Sequence, residues 1–279
     1  MRGELYVVKL MKYEIKGTYK ILLGILALVL ILITGIYMYS RDSSNFLNFG
    51  AIFMTLSVLV LFGTSLATFL YIVSSFKNEL YEDRGYLTFT LPLTGNQIVG
   101  AKLLVAMFWF FILGLAIFLY NLMMISIFST SEFDFSELFK AVGQVVSVKE
   151  IIIGVIGGIF NLANFFILIY FSMALGRVTF RNKKIGGLWF VIFLVLSGLL
   201  AFIQVQIIEL FPYYFDINTF KMGTMEELYN FEISIGNEVS ISSETGIFKL
   251  NIASSIYNII ELIVLYLGTA YLIEKKIDL

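Results

Sequence analysis

The sequence contains no cysteine and no histidine. Without cysteine there is no disulfide, no thiolate chemistry and no cysteine-ligated metal. Without histidine the usual general base of serine and cysteine hydrolases is missing, as is the commonest zinc and haem ligand. Carboxylate chemistry survives this exclusion, but the chain does not read as an intramembrane enzyme, and no metal site is expected in it. Charge is also scarce. Charged residues make up 14% of the 279 positions and hydrophobic ones 59%, against roughly 45–50% apolar in ordinary soluble domains. The mean hydropathy is +0.91. No soluble core absorbs that much apolar surface. In hydrocarbon, backbone polar groups must pair internally, which a helix achieves along its whole length, and a crossing takes about 20 apolar residues.

Apolar runs of that length occur at residues 20–39, 49–76, 98–128, 151–175, 185–208 and 252–273. The expectation is an all-α integral membrane protein with six transmembrane helices, forming a single transmembrane domain over 1–279. No small-residue cleavage site follows the first run, which is read as a retained anchor. Six crossings put both termini on one side. Most of the 19 Lys and Arg residues fall on that side, leaving Arg41, Lys140, Lys149, Lys221 and Lys249 on the other. Acidic residues such as Glu132, Asp134, Glu226, Glu232 and Glu244 gather on the far side. The excess of positive charge in cytoplasmic loops therefore places both termini in the cytoplasm. Nothing resembles a basic patch for nucleic acid.

Several regions outside the spans are informative. Val7, Val8, Met11 and Ile15 oppose Lys9, Lys12, Lys16 and Lys20 on a helical wheel, which predicts an N-terminal amphipathic helix lying along the cytoplasmic interface. Phe135, Leu138, Phe139, Val142, Val145 and Val146 repeat with helical spacing and predict a second interfacial helix on the outer face. The outer segment 209–251 is too long for a plain connection and should hold a small subdomain. Within it, Thr224 and Glu227 fit a capping box. Ile233, Ile235, Val239 and Ile241 alternate with polar residues around Gly236 and Asn237. That pattern reads as a hairpin, and an odd-length turn would set Ile233 opposite Ile241 and Ile235 opposite Val239.

The connection 77–97 is the most distinctive cytoplasmic segment. Thr94 and Gln97 form a capping box, so the third helix should start near Gly95 with Pro92 just outside it. The polar and aromatic stretch before it is an exposed platform suited to a soluble partner. Here the sequence resembles the permease subunits of type-2, exporter-like ATP-binding-cassette (ABC) transporters. The resemblance lies in Glu82, Asp83, Gly85, Leu87, Leu91, Pro92, Thr94, Ile98 and Lys102, and extends to the span count, the cytoplasmic termini and the large outer loop between spans five and six. Two features depart from the family pattern. Gly95 and Asn96 stand where such permeases often carry a basic residue, and the alternation from Tyr86 to Leu91 reads locally as strand where the family implies a short helix.

The resemblance implies a coupling segment that docks into a cleft of a cytosolic ABC ATPase subunit, with Glu79, Glu82, Asp83, Arg84, Gly85, Tyr86, Leu87, Phe89, Leu91, Pro92 and Thr94 as the contact. It further implies a second permease subunit, a surround of membrane lipid, a bacterial cell membrane, and export of a hydrophobic or amphipathic peptide, drug or lipid by alternating access. ATP and magnesium would belong to the partner. In this chain the nearest approach to a phosphate loop, from Gly95 to Leu103, has its lysine displaced and lacks the Ser or Thr that would hold magnesium.

Inside the spans, Gly154 and Gly158 form a small-xxx-small pair for close helix approach, within the subunit or across a dimer. Asn161 and Asn164 follow, and Gln204 and Gln206 approach the outer end of span five, where such amides commonly bond between helices. Glu261 is the one charge well inside a span. Ser254, Tyr257, Asn258, Glu261 and Gly268 share a helical face. An ionised carboxylate at such depth costs about 2.5–3.5 kcal/mol on insertion scales, so this face should meet protein or water. Either Glu261 is tied to an amide of a neighbouring helix, or the stripe joins Asn161 and Asn164 in lining a translocation pathway that favours positively charged substrates. Rival readings are an ion-gradient-driven secondary transporter, which calls for more intramembrane ionisable groups and internal repeats than occur here, and a non-transporting membrane scaffold or immunity protein.

Overall fold

The computed structural model describes residues 2–41, 46–81, 93–128, 140, 143, 147–179, 188–218, 220–224, 231–235, 239–243 and 249–276. Six long helices run through them: α1 (Arg2–Arg41), α2 (Phe46–Tyr81), α3 (Gly95–Phe128), α4 (Val148–Thr179), α5 (Leu188–Leu210) and α6 (Ile252–Lys275). Five of them, all but α2, contain described stretches long and apolar enough to cross a membrane. The predicted second span falls within α2. The outer interfacial helix predicted over 135–146 lies outside the described residues apart from Lys140 and Gly143.

Two compact units share the chain. Met1–Phe133, Met173–Gly186 and Thr269–Leu279 form one; Asp134–Ser172 and Gly187–Gly268 form the other. Helices α4 and α6 each contribute to both.

In the first unit α1 packs along both α2 and α3, whereas α2 and α3 touch each other little. Val29, Ile33 and Tyr37 of α1 meet Ile117 and Met124 of α3 in a buried cluster. A row of polar contacts runs beside it. Lys102 Nζ lies 2.8 Å from Glu14 Oε1, Trp109 Nε1 donates to Thr18 Oγ1 at 2.9 Å, and the hydroxyls of Thr34 and Tyr120 bond to each other. These contacts correct one expectation. The amphipathic N-terminal stretch is no separate surface helix; it continues into the first span as one helix of 40 residues. At 1.5 Å per residue that is about 60 Å, roughly twice the hydrocarbon thickness. No proline interrupts it, so no backbone donor is missing from its ladder, and the Thr18 hydroxyl is satisfied within the helix by the Glu14 carbonyl at 2.9 Å. The packed face also differs from the predicted one. Leu10, Thr18 and Leu22 are buried, while Val8 is 64% exposed. Burial follows the partners that α3 offers, not the strongest apolar stripe.

In the second unit, α4 opens on a capping box that the sequence carries as Ser147-Val148-Lys149-Glu150. Ser147 N donates to Glu150 Oε2 at 2.8 Å and Glu150 N to Ser147 Oγ at 3.2 Å, which satisfies two donors that a helix start otherwise leaves unpaired. Glu150 is only 1% exposed. Helix α5 has no buried residue. The segment 209–251 contains two small sheets. β3 (Phe231–Ile235) and β4 (Val239–Ser243) pair antiparallel with Ile233 opposite Ile241 and Ile235 opposite Val239, the predicted register. The turn 236–238 and most of the Thr224 to Glu227 capping box lie outside the described residues.

The second sheet was not anticipated. β1 (Tyr214–Asp216) sits between β2 (Met222–Gly223) and β5 (Lys249–Asn251), antiparallel to both. Phe220 closes the β1 to β2 turn with a φ of 56°. Its N–H donates to the Asp216 carbonyl at 2.9 Å. Lys249, beside Asp216 on the paired strand, has its pKa pushed down by desolvation, with the Asp216 charge working in the opposite direction. Asn251 ends β5 and caps α6 at once. Its Oδ1 accepts from Ser254 N at 2.8 Å and its Nδ2 donates to the Phe211 carbonyl at 3.1 Å.

Candidate functional site

Two places follow from the sequence, the connection 77–97 and the polar stripe of α6. Residues 82–92, and with them Glu82, Asp83, Arg84, Gly85, Tyr86, Leu87, Phe89, Leu91 and Pro92, lie outside the described residues, as does the side chain of Glu79. Both flanks of that segment are described, and both are tied down within the first unit.

On the leading flank, the Tyr81 hydroxyl donates to the Met173 carbonyl of α4 at 3.1 Å. The Arg177 guanidinium carbon lies 5.7 Å from the Tyr81 ring centroid, in cation–π range. Burial raises the Tyr81 phenol pKa, and the Arg177 charge offsets part of that rise. On the trailing flank the predicted capping box is present. Thr94 N donates to Gln97 Oε1 at 3.1 Å and Gln97 N to Thr94 Oγ1 at 3.4 Å, and α3 begins at Gly95 as expected. Gly95 N itself donates to Glu274 Oε2 of α6 at 3.0 Å. A carboxylate at a helix N-terminus meets free N–H groups and the positive end of the dipole, worth about 0.3–1 kcal/mol.

The approach of α6 to this helix start is close. A Cβ built on Gly95 would sit 2.3 Å from the Ala270 carbonyl oxygen, so the absence of a side chain is what permits it. About two turns further on, Lys102 pairs with Glu14 and lies 5.8 Å from the Phe76 ring centroid. Tyr81, Met173, Arg177 and Glu274 were all missed from sequence. The local pattern around each is unremarkable, and the partners are 92 and 179 residues apart.

In the second unit the α6 stripe is partly consumed by helix packing. Gln204 Nε2 of α5 donates to Ser254 Oγ at 2.7 Å and to Asn258 Oδ1 at 3.3 Å. The Tyr257 hydroxyl donates to the Leu200 carbonyl at 3.1 Å. The expectation that Gln204 bonds between helices is met, whereas Gln206 reaches Glu209 on its own helix, at 3.4 Å. Gly268 packs tightly against α4, for an added Cβ would lie 2.9 Å from Phe171 Cε2. Glu261 is half-buried and has no hydrogen-bond partner among the described residues. Asn161 is exposed, and both side-chain amide atoms of Asn164 are buried with no partner among the described residues. No hydrogen bond among them joins Asn161 or Asn164 to the stripe. Gly158 is not used for a close approach, since a Cβ there would meet nothing within 4 Å.

Comparison of the chain with family models, curated proteins and solved structures finds no match. The class is set by the fold itself: five long apolar helices among the described residues make this a multi-pass helical membrane protein.

Proposed function

We propose that this chain is the transmembrane permease subunit of an ATP-driven ABC exporter, crossing a bacterial cell membrane six times with both termini in the cytoplasm. The observation that carries the reading is the anchoring of the connection 77–97. Tyr81 is bonded to α4, Gly95 to α6, and Lys102 to α1. A segment that only turns the chain around has no need of such ties. One that receives a push from a soluble partner does, because the push reaches several helices only through contacts of this kind. Residues Glu79 to Thr94 then form the docking contact for a cytosolic ATPase subunit, which brings ATP and magnesium. A second permease subunit completes the pathway, and the unused small face at Gly158 is suited to it. The cargo is hydrophobic or amphipathic. Glu261, half-buried on a helix whose Ser254, Tyr257 and Asn258 are bonded to α5, is the residue that would attract a positive charge on that cargo.

The test is reconstitution with a cognate cytosolic ATPase subunit. The purified chain alone should show no ATP turnover, and the complex should. Charge reversal at Glu82 and Asp83 should reduce co-purification of the ATPase without changing membrane insertion. Turnover by the isolated chain, or unchanged assembly and hydrolysis in the charge-reversed complex, would falsify the docking role.

A further inference from the structure

The first five turns of α1 divide into two faces. Leu10, Thr18 and Leu22 are buried on one side, and Glu14, on that same side, is paired with Lys102 of α3. Successive helical residues turn by about 100°, which puts Lys9, Lys12, Lys16 and Lys20 within an arc of about 80° on the opposite side. All four are exposed. Glu14 is the only acidic residue between Tyr6 and Arg41, so its turn toward α3 leaves the outer arc without an acid of its own. None of the four lysines makes an ion pair among the described residues. Tyr6, Tyr13 and Tyr19 flank the arc and are exposed, and Lys9 Nζ lies 5.7 Å from the Tyr6 ring centroid. Tyrosine is enriched where hydrocarbon gives way to headgroups and water.

The arc runs on into lipid-facing helix. Leu23, Ala27 and Ile31 continue it, aliphatic and exposed. One face of one helix thus offers ammonium groups and then alkyl groups, in the order in which a phospholipid offers its phosphate and then its acyl chain. A soluble acidic peptide or a nucleic acid matches the first half of that face and not the second. Depth agrees with the same occupant. The headgroup layer adds about 5–7 Å to each side of the hydrocarbon. Lys20 stands at the end of the apolar run and Lys16 about 6 Å beyond it along the axis, both within that layer. Lys12 and Lys9 stand about 12 and 17 Å beyond and act on the same charge through the water.

We propose that the outer arc of α1 is a binding surface for anionic phospholipid, with Lys16 and Lys20 against the phosphate, Lys9 and Lys12 adding to the attraction, and an acyl chain along Leu23, Ala27 and Ile31. Net negative charge on the headgroup is what the arc selects, because an uncompensated row of lysines gains from an anionic lipid and little from a zwitterionic one. The surface belongs to α1 and is independent of the transport reading.

The chain has no cysteine, so Gly17→Cys supplies a single thiol beside the arc, where a Cβ meets nothing within 4 Å. The full chain, labelled there with bimane and reconstituted in phosphatidylcholine vesicles, is quenched either by phosphatidylglycerol carrying a nitroxide high on its acyl chain or by phosphatidylcholine carrying the same nitroxide. At equal mole fraction the anionic lipid should be enriched about 3- to 10-fold at this label. It should show no enrichment at Gly198→Cys on α5, where a Cβ also meets nothing within 4 Å. Lys16→Gln with Lys20→Gln should remove most of the preference, and Lys16→Arg with Lys20→Arg should keep it. In about 1 M salt, where the Debye length shrinks to about 3 Å, the preference should weaken. Equal quenching by the two lipids at Gly17→Cys, or the same preference at Gly198→Cys, overturns the proposal whatever the lysine variants do. A preference that survives the two glutamines or ignores salt also overturns it.

Discussion

Replacing Gly95 by alanine puts two opposite effects against each other at one atom. Alanine is the better helix former, by about 1 kcal/mol relative to glycine within a helix, so an unobstructed site would gain stability. Gly95 is obstructed by backbone. The new Cβ would lie 2.3 Å from the Ala270 oxygen, 3.0 Å from its carbonyl carbon and 3.2 Å from its Cα. Carbon and oxygen in contact sit about 3.3 Å apart or more, so α6 and the start of α3 must separate by roughly 1 Å. No side chain can rotate to relieve the clash. Forced repacking of this kind costs about 1–3 kcal/mol, which outweighs the propensity gain at a first-turn position. The shift also pulls Gly95 N away from Glu274. The midpoint of thermal unfolding, followed by tryptophan fluorescence in detergent micelles, should fall by several degrees, at about 2–4 °C per kcal/mol for a chain of this size. Amide exchange at Gly95 should quicken. Gly17→Ala and Gly24→Ala supply the sign control, because a Cβ at either meets nothing within 4 Å and both lie inside α1. They should raise the midpoint. A Gly95→Ala protein as stable as the parent, with slow exchange at residue 95, would refute the close approach of α6.

Lys102→Leu removes one side of the Lys102–Glu14 ion pair and should destabilise the chain by about 3 kcal/mol, while the double variant Glu14→Leu, Lys102→Leu should recover most of the loss; chemical denaturation of the three proteins gives the comparison. Ser147→Ala removes the reciprocal cap of α4 and should cost about 1 kcal/mol, seen as faster amide exchange at Glu150 with little change at the start of α3. Glu261→Gln in the reconstituted complex should lower export of cationic substrates several-fold and leave neutral ones unchanged. Equal export of both kinds across pH would remove Glu261 from the pathway.

What could be read from sequence was set by short-range pattern. The Thr94 and Gln97 box fixed the start of α3 because cap and helix lie within one turn. The register of β3 and β4 followed from the alternation of Ile233, Ile235, Val239 and Ile241, since a slip by one residue would turn all four to the other face. The Ser147 and Glu150 box has the same signature and is legible by the same rule, although the strong apolar run after it dominates the local pattern. Strands β1, β2 and β5 were out of reach. Two or three residues are too few to show alternation, and their pairing joins Tyr214 to Asn251 across an intervening hairpin. The ties of Tyr81 to Met173 and Gly95 to Glu274 are tertiary, and no local pattern announces them. The continuity of α1 was misjudged because the charge pattern of residues 7–20 suits an interfacial helix, whereas Lys102 and Trp109 give Glu14 and Thr18 polar partners that such a helix would not have.

The polar row between α1 and α3 also sets a timetable for biosynthesis. Glu14 leaves the ribosome 88 residues before Lys102, and Thr18 leaves 91 residues before Trp109. At about 5–20 residues per second, α1 waits some 4 to 18 s before either contact can form. During that interval α1 exists without either contact. The seam between α1 and α3 can therefore close only after α2 has been made and the first turns of α3 bring the lysine and the indole.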